Sequence, residues 1–203
     1  MSKLISILCA ALLACTGTSC AQTTKPKTEK ESMNKKKVLV TYFSRADENY
    51  SVGYINEGNT EKVAKEIVAQ TGADLFHIET VKPYPAEYDL CIEEAKKELR
   101  ANARPEIKGD INIDDYDIIF IGYPNWWGEP PMAVYTFIEK HDWNGKTVIP
   151  FITHEGSGFG GTDKKIVKAC KGANSKPGYA VYGHIAQREP TTIKTQVAEW
   201  LAK

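Results

Sequence analysis

Three short stretches of this chain concentrate residues able to hold a ligand. In the first, Ser44-Arg45 is followed, after a loop, by Gly58-Asn59-Thr60 at the start of a helical pattern. Hydroxyls and glycine-permitted backbone N–H groups at a helix start are what a phosphate needs. The same residues would also serve as a plain turn at Gly58 and an N-cap at Thr60. The second, Tyr123 to Pro131, sets Trp126 beside Trp127 in a proline-braced loop. Adjacent residues in an extended segment cannot both face one core, so at least one indole faces a ligand or solvent, unless both cap the sheet as packing residues. A flat apolar surface of that kind suits stacking on a planar ring. The third, Thr153 to Gly161, places four glycines in its last six residues, an entropic cost that implies backbone brought close to something. His154 opens this stretch, but no other histidine or cysteine falls nearby at metal-ligand spacing, so a zinc site is not expected.

These stretches need elements to aim them. Val38 to Phe43 is a continuous apolar, β-rich run, as expected of a strand covered on both faces. Val63, Ala64, Ile67 and Val68 follow at helical spacing, and Gly72 stops that helix. Further strands are expected at Leu75 to Ile78, Ile118 to Gly122, Thr147 to Ile152 and Tyr179 to Ile185. Between them fall helices over about Glu87 to Asn102, from Pro130-Pro131 through Ile138, over Lys164 to Cys170, and finally Thr191 to Leu201. Five strands alternating with helices predict a doubly wound α/β domain. In such sheets ligands bind beyond the carboxyl ends of the strands, which is where all three stretches lie.

The front of the chain reads differently. Lys3 followed by the apolar run Leu4 to Leu13 predicts a signal peptide over residues 1–22 and export to a bacterial envelope or periplasm. Leu12-Leu13-Ala14-Cys15 and the looser Gly17-Thr18-Ser19-Cys20 resemble lipid-attachment sites, whereas Ser19-Cys20-Ala21 suits ordinary cleavage, so the lipid anchor stays open. That anchor is the one membrane contact expected. Residues 23–35 read as a polar, lysine-rich tether and 36–203 as the folded domain. The whole chain balances 26 basic against 26 acidic residues, but from Val38 onward 19 basic face 24 acidic, which argues against a nucleic-acid partner. Cys91 and Cys170, far apart in sequence, are expected unpaired.

Taken together, the motifs Phe43-Ser44-Arg45, Glu48-Asn49-Tyr50 and Gly58-Asn59-Thr60, then Gly122-Tyr123-Pro124 with Trp126-Trp127-Gly128, then Thr153-His154 with Gly156-Ser157-Gly158, resemble the flavodoxin family from about Lys36 to the C-terminus. The resemblance implies a short-chain, flavodoxin-like three-layer sandwich with a five-stranded parallel sheet in the order 2-1-3-4-5, and FMN as cofactor. It implies that Ser44, Asn59 and Thr60 line the phosphate, with Arg45 in the same cofactor set. Pro124, Asn125, Trp126, Trp127 and Gly128 would flank the isoalloxazine, and His154, Glu155, Gly156, Ser157 and Gly158 would cover its other side. Two departures stand out: the segment Arg45 to Glu57 interrupts a phosphate loop that is ordinarily short, and the third loop offers His154 and Phe159 where many members have a stacking tyrosine. The implied function is one-electron transfer to redox partner proteins, with no catalytic residue of its own. The alternative is an FMN-dependent NAD(P)H:quinone-type oxidoreductase, with the long first loop shaping a substrate pocket.

Overall fold

The computed structural model describes residues 36–203, so the expected signal peptide and tether lie outside the described residues. Five buried residues, Val38–Tyr42, form β1 at the centre of the sheet. β4 (Asp74–His77) pairs with one side of β1 and β5 (Ile118–Pro124) with the other, both parallel. β6 (Thr147–His154) pairs with β5 in parallel from Ile118 opposite Thr147 to Pro124 opposite Thr153. The edge beyond β6 comes in two pieces, β7 (Asn174–Ser175) at its start and β8 (Tyr179–Tyr182) at its end. The expected order is therefore present, with the fifth position shared by two strands and the sheet six-stranded. The interruption falls opposite Pro150, which brings no N–H to the ladder.

Strand alternation divides the core into two layers. Val38, Val40, Phe120 and Phe151 pack on one face of the sheet with Val63, Ala64 and Ile67 of α1 (Asn59–Thr71) and with Ile193, Val197 and Leu201 of α6 (Pro190–Leu201). Leu39, Ile119, Ile121 and Ile152 pack on the other with Ala133, Val134 and Phe137 of α3 (Met132–Glu139) and Ile166 of α4 (Thr162–Ala169). That is the three-layer sandwich. The period-2 pattern of strands buried on both faces requires it.

The helix ends follow from local chemistry. Gly72 closes α1 in the left-handed region at φ 70°, and Asn102 closes α2 (Tyr88–Ala101) at φ 46°. Two segments depart from expectation. Residues 183–185, expected as the end of a strand, open the short helix α5 (Gly183–Arg188), because the Glu155 carboxylate accepts the His184 backbone N–H at 2.8 Å and satisfies its first turn. The loop Arg45 to Glu57 contains an antiparallel hairpin, β2 (Asp47–Asn49) and β3 (Gly53–Ile55), which strand periodicity over so few residues does not announce.

Candidate functional site

The ends of β1, β5 and β6 converge on a cleft of about 860 Å³ including its open mouth. Asn59, Pro124, Asn125, Trp126 and Trp127 line it, together with Thr153, His154 and Glu155.

The first loop, interrupted in sequence by the hairpin, is continuous in space. A Cβ built on Gly58 would lie 2.1 Å from Ser44 Oγ and 2.6 Å from the Arg45 carbonyl, so the chain leaves at Ser44, makes the hairpin and returns in contact with its point of departure. Only glycine permits that approach. Ser44 Oγ accepts the Glu61 N–H at 3.2 Å, inside the first turn of α1. Thr60 is not the N-cap: Gly58 holds that position, and the buried Thr60 hydroxyl bonds Thr153 Oγ1 at 2.7 Å, tying the first loop to the third. Asn59 Oδ1 is buried with no donor among the described residues, an acceptor left over for a ligand hydroxyl. Ser44 itself faces a neighbouring cleft that also takes in Glu61 and His77.

Arg45 reaches the cleft wall, but its guanidinium is occupied by three carbonyls: Glu48 at 2.7 Å, Pro85 at 2.7 Å and Ala86 at 2.8 Å. Its visible work is to fasten the hairpin to the segment before α2. The Glu48 carboxylate completes that fastening by accepting the Tyr88 N–H at 2.8 Å.

The two tryptophans divide as adjacent residues must. Trp126 packs edge-to-face against Phe43 (5.2 Å between centroids) and Tyr84 (5.0 Å), at the margin of the core. Trp127 is half-exposed, donates its indole N–H to the Ile92 carbonyl at 3.0 Å, and carries the Lys96 ammonium 4.7 Å over its ring. Between them the backbone turns tightly: Trp126 and Glu129 exchange both backbone hydrogen bonds, and Trp127 and Gly128 sit at φ 59° and 78°. A bulky residue in the left-handed region is strained, and strain of this kind gathers at binding loops. The turn is braced by Asn125 Oδ1, which accepts the Gly128 N–H at 2.9 Å, and by the ion pair of Glu129 with Lys165.

In the third loop His154 Nδ1 accepts the Gly156 N–H at 3.0 Å, so the neutral ring carries its proton on Nε2. Burial holds this imidazole below the ordinary histidine range, against the opposing effect of the Glu155 charge. Glu155 is engaged with α5, its second oxygen 2.6 Å from His184 Nδ1. Gly156 and Ser157 are exposed and lie, with Gly158, outside the cleft lining; Ser157 Oγ accepts from Asn125 Nδ2 at 2.6 Å and so joins the second loop to the third. Phe159 packs against the core, away from the cleft. Cys91 and Cys170 are both free and buried.

Sequence reasoning left out of the site Asn49 and Tyr50 from the hairpin, Tyr88, Cys91, Ile92 and Ala95 from α2, and Gly183 at the start of α5. The helical set was readable, because positions i, i+3, i+4 and i+7 form one stripe on a helix. The hairpin pair stood in the Glu48-Asn49-Tyr50 motif, which marked the resemblance without being assigned to the site.

Comparisons agree with this geometry. The flavodoxin family profile matches residues 37–203. A candidate flavoprotein of Bacteroides eggerthii is 31% identical, with 83% of this chain and 99% of that one covered and a TM-score of 0.64. One from Bacteroides uniformis is 28% identical over 80% and 98% of the two chains, also at 0.64. A Lactobacillus acidophilus flavoprotein solved in complex with FMN shares the fold at 23% identity, 71% and 93% coverage and a TM-score of 0.54. No curated protein matches the chain.

Proposed function

The chain belongs to the flavodoxin family, and on that premise we propose that it is an exported FMN-binding flavoprotein that carries electrons between redox partner proteins. One observation carries the reading: the loops after β1, β5 and β6 meet at a single cleft whose lining joins Asn59, at the start of α1, to a tryptophan pair.

The residues fit the cofactor. The Gly58 approach and the start of α1 suit a phosphate held by neutral donors and the positive end of the helix dipole. Buried Asn59 Oδ1 suits a ribityl hydroxyl, which is a donor. Trp126 and Trp127 offer apolar ring surface, and the His154 Nε2–H offers a neutral donor in the same lining. When bound, FMN supplies the redox chemistry, and the protein supplies position and electrostatics. The strained Trp127-Gly128 turn would hold its backbone groups fixed beside a bound ring, and the Glu129–Lys165 pair ties that turn to α4. The acidic balance of the domain disfavours added negative charge, which makes the second electron harder to add than the first and suits one-electron traffic.

The reading of export rests on Lys3 and the apolar run Leu4 to Leu13, with lipid attachment at Cys15 or Cys20 as a further option. Fractionation of the native host tests it: a cytoplasmic, full-length chain would overturn it.

The visible spectrum of the purified protein, followed by release and identification of the flavin, tests the cofactor. Potentiometric titration tests the carrier role: two resolved one-electron waves are expected. Rapid bleaching of the bound flavin by NADPH alone would replace the carrier with a nicotinamide-dependent reductase.

A further inference from the structure

Trp126 does more than line the cleft. Its ring meets the Tyr84 ring edge-on, 5.0 Å between centroids. The Tyr84 hydroxyl in turn donates to Glu98 Oε2, in the last turn of α2, at 2.6 Å. Tyr84 also reaches the surface, where it lines a groove together with Lys82, Glu94 and Arg104.

Indole, phenol and carboxylate in this order are the parts of a path for one oxidising equivalent. A phenol that has lost an electron is a very strong acid, and a buried positive ring cannot persist, so tyrosine is oxidised readily only where a base takes its proton. Glu98 is that base: it already accepts the hydrogen bond, and burial pushes its carboxyl up, which favours taking a proton. Burial also pushes the Tyr84 phenol up, so the proton stays on the oxygen until an electron leaves. Other rings lack one of the parts. Tyr179 stacks on Trp200, but its hydroxyl donates to the Gln196 amide, which is no base. Tyr116 and Tyr135 donate to Asp74 and Glu129 without an indole beside them. Among the described residues, Tyr84 alone joins an indole to a carboxylate. Trp127 is unsuited to start such a path, because the Lys96 ammonium 4.7 Å over its ring opposes positive charge there.

We propose that Trp126, Tyr84 and Glu98 form a hole-transfer path that carries a one-electron oxidising equivalent out of the cleft to the protein surface. The oxidant it answers is a radical left by incomplete reduction of dioxygen, of the peroxyl class. That radical takes one electron from the Trp126 indole and becomes its anion. The indole takes an electron back from Tyr84, whose O–H proton passes to the Glu98 carboxylate, leaving a neutral phenoxyl radical and a carboxylic acid. An electron from a thiolate or ascorbate, with the Glu98 proton returning to the phenol oxygen, restores both groups. The path goes beyond the flavin reading and does not need it: electron carriage only gives a source of such radicals at this cleft.

Pulse radiolysis of the flavin-free protein tests the path, with azidyl radicals as the one-electron oxidant of indoles. Decay of the indolyl absorption should contain a phase matched by a rise in phenoxyl absorption, at a rate independent of protein concentration. Glu98→Gln keeps an acceptor and removes the base, and should slow that phase at least tenfold. Trp126→Phe and Tyr84→Phe keep an aromatic ring in place, and each should abolish it. A rate that rises with protein concentration, a rate unchanged in Glu98→Gln, or a phase that survives in Tyr84→Phe overturns the proposal. Under steady radiolysis with ascorbate present, Tyr84→Phe should accumulate oxidised Trp126 at least threefold faster than the wild type, read by peptide mass spectrometry; equal accumulation overturns the path as an outlet. Failure of the wild-type chain to bind FMN would sink the flavin reading and leave these results standing.

Discussion

At the scale of single residues, the two tryptophans separate binding from stability. Trp126 joins Phe43 and Tyr84 in edge-to-face packing, whereas Trp127 is half-exposed and anchored by one hydrogen bond and one ammonium. Trp126→Ala should therefore cost about 2 to 3 kcal/mol in urea denaturation, somewhat under the loss for a fully buried aromatic. Trp127→Gly removes a bond worth about 1 kcal/mol. It also relieves a left-handed backbone that costs about 1 kcal/mol, so its stability should stay near wild type while FMN affinity falls. Equal destabilisation by the two would contradict this division of labour. His154 makes a second residue-scale case. Its Nδ1 accepts the Gly156 N–H, so protonation breaks that contact, and burial places the folded value below the unfolded 6.5. Between those two values the unfolded chain binds more protons, so this contribution is complete above 6.5 and is lost as pH falls through the folded value. The Gly156 amide 15N shift should titrate with a midpoint below 6.5 and become flat in His154→Gln.

At the scale of elements, the hairpin depends on Arg45, whose three carbonyl bonds tie β2 to the segment before α2. Arg45→Met keeps the stem and removes the donors. It should cost about 2 kcal/mol in stability and raise amide exchange from Asp47 to Ile55 well above that of the sheet. Unchanged exchange in the hairpin would show that Glu48 and Arg188 suffice to hold it. This element also marks the limit of what the chain disclosed before folding. Buried runs such as Val38 to Tyr42 and Ile118 to Ile121 were legible because a strand covered on both faces leaves a continuous apolar signal. The glycine stop at Gly72 was legible for its left-handed φ. Three-residue strands carry too little periodicity to stand out. The role of Arg45 was hidden for another reason: its carbonyl partners at Pro85 and Ala86 lie forty residues away, and main-chain acceptors leave no mark in a sequence. Thr60 misled because a threonine at a helix start reads as a cap, whereas tertiary contact with Thr153 claimed its hydroxyl.

At the scale of the whole molecule, the ligand should act as part of the fold, because the cleft draws on the ends of three strands, the start of α1 and the junction of β8 with α5. A ligand that binds only the native state at about 100 times its Kd adds about 2.7 kcal/mol. For a domain of this size that corresponds to a rise of about 5 to 10 °C in Tm. FMN should produce that rise, and riboflavin, which lacks the phosphate, a markedly smaller one. The difference isolates the start of α1, where Gly58 admits no side chain between Ser44 Oγ and the Arg45 carbonyl. Gly58→Ala should bring the two ligands to the same small rise, since the added methyl displaces the segment that faces the phosphate while the tryptophan loop keeps its own braces at Asn125 and Lys165. If riboflavin and FMN stabilise the wild-type protein equally, the phosphate is not held at α1, and the ring alone accounts for recognition.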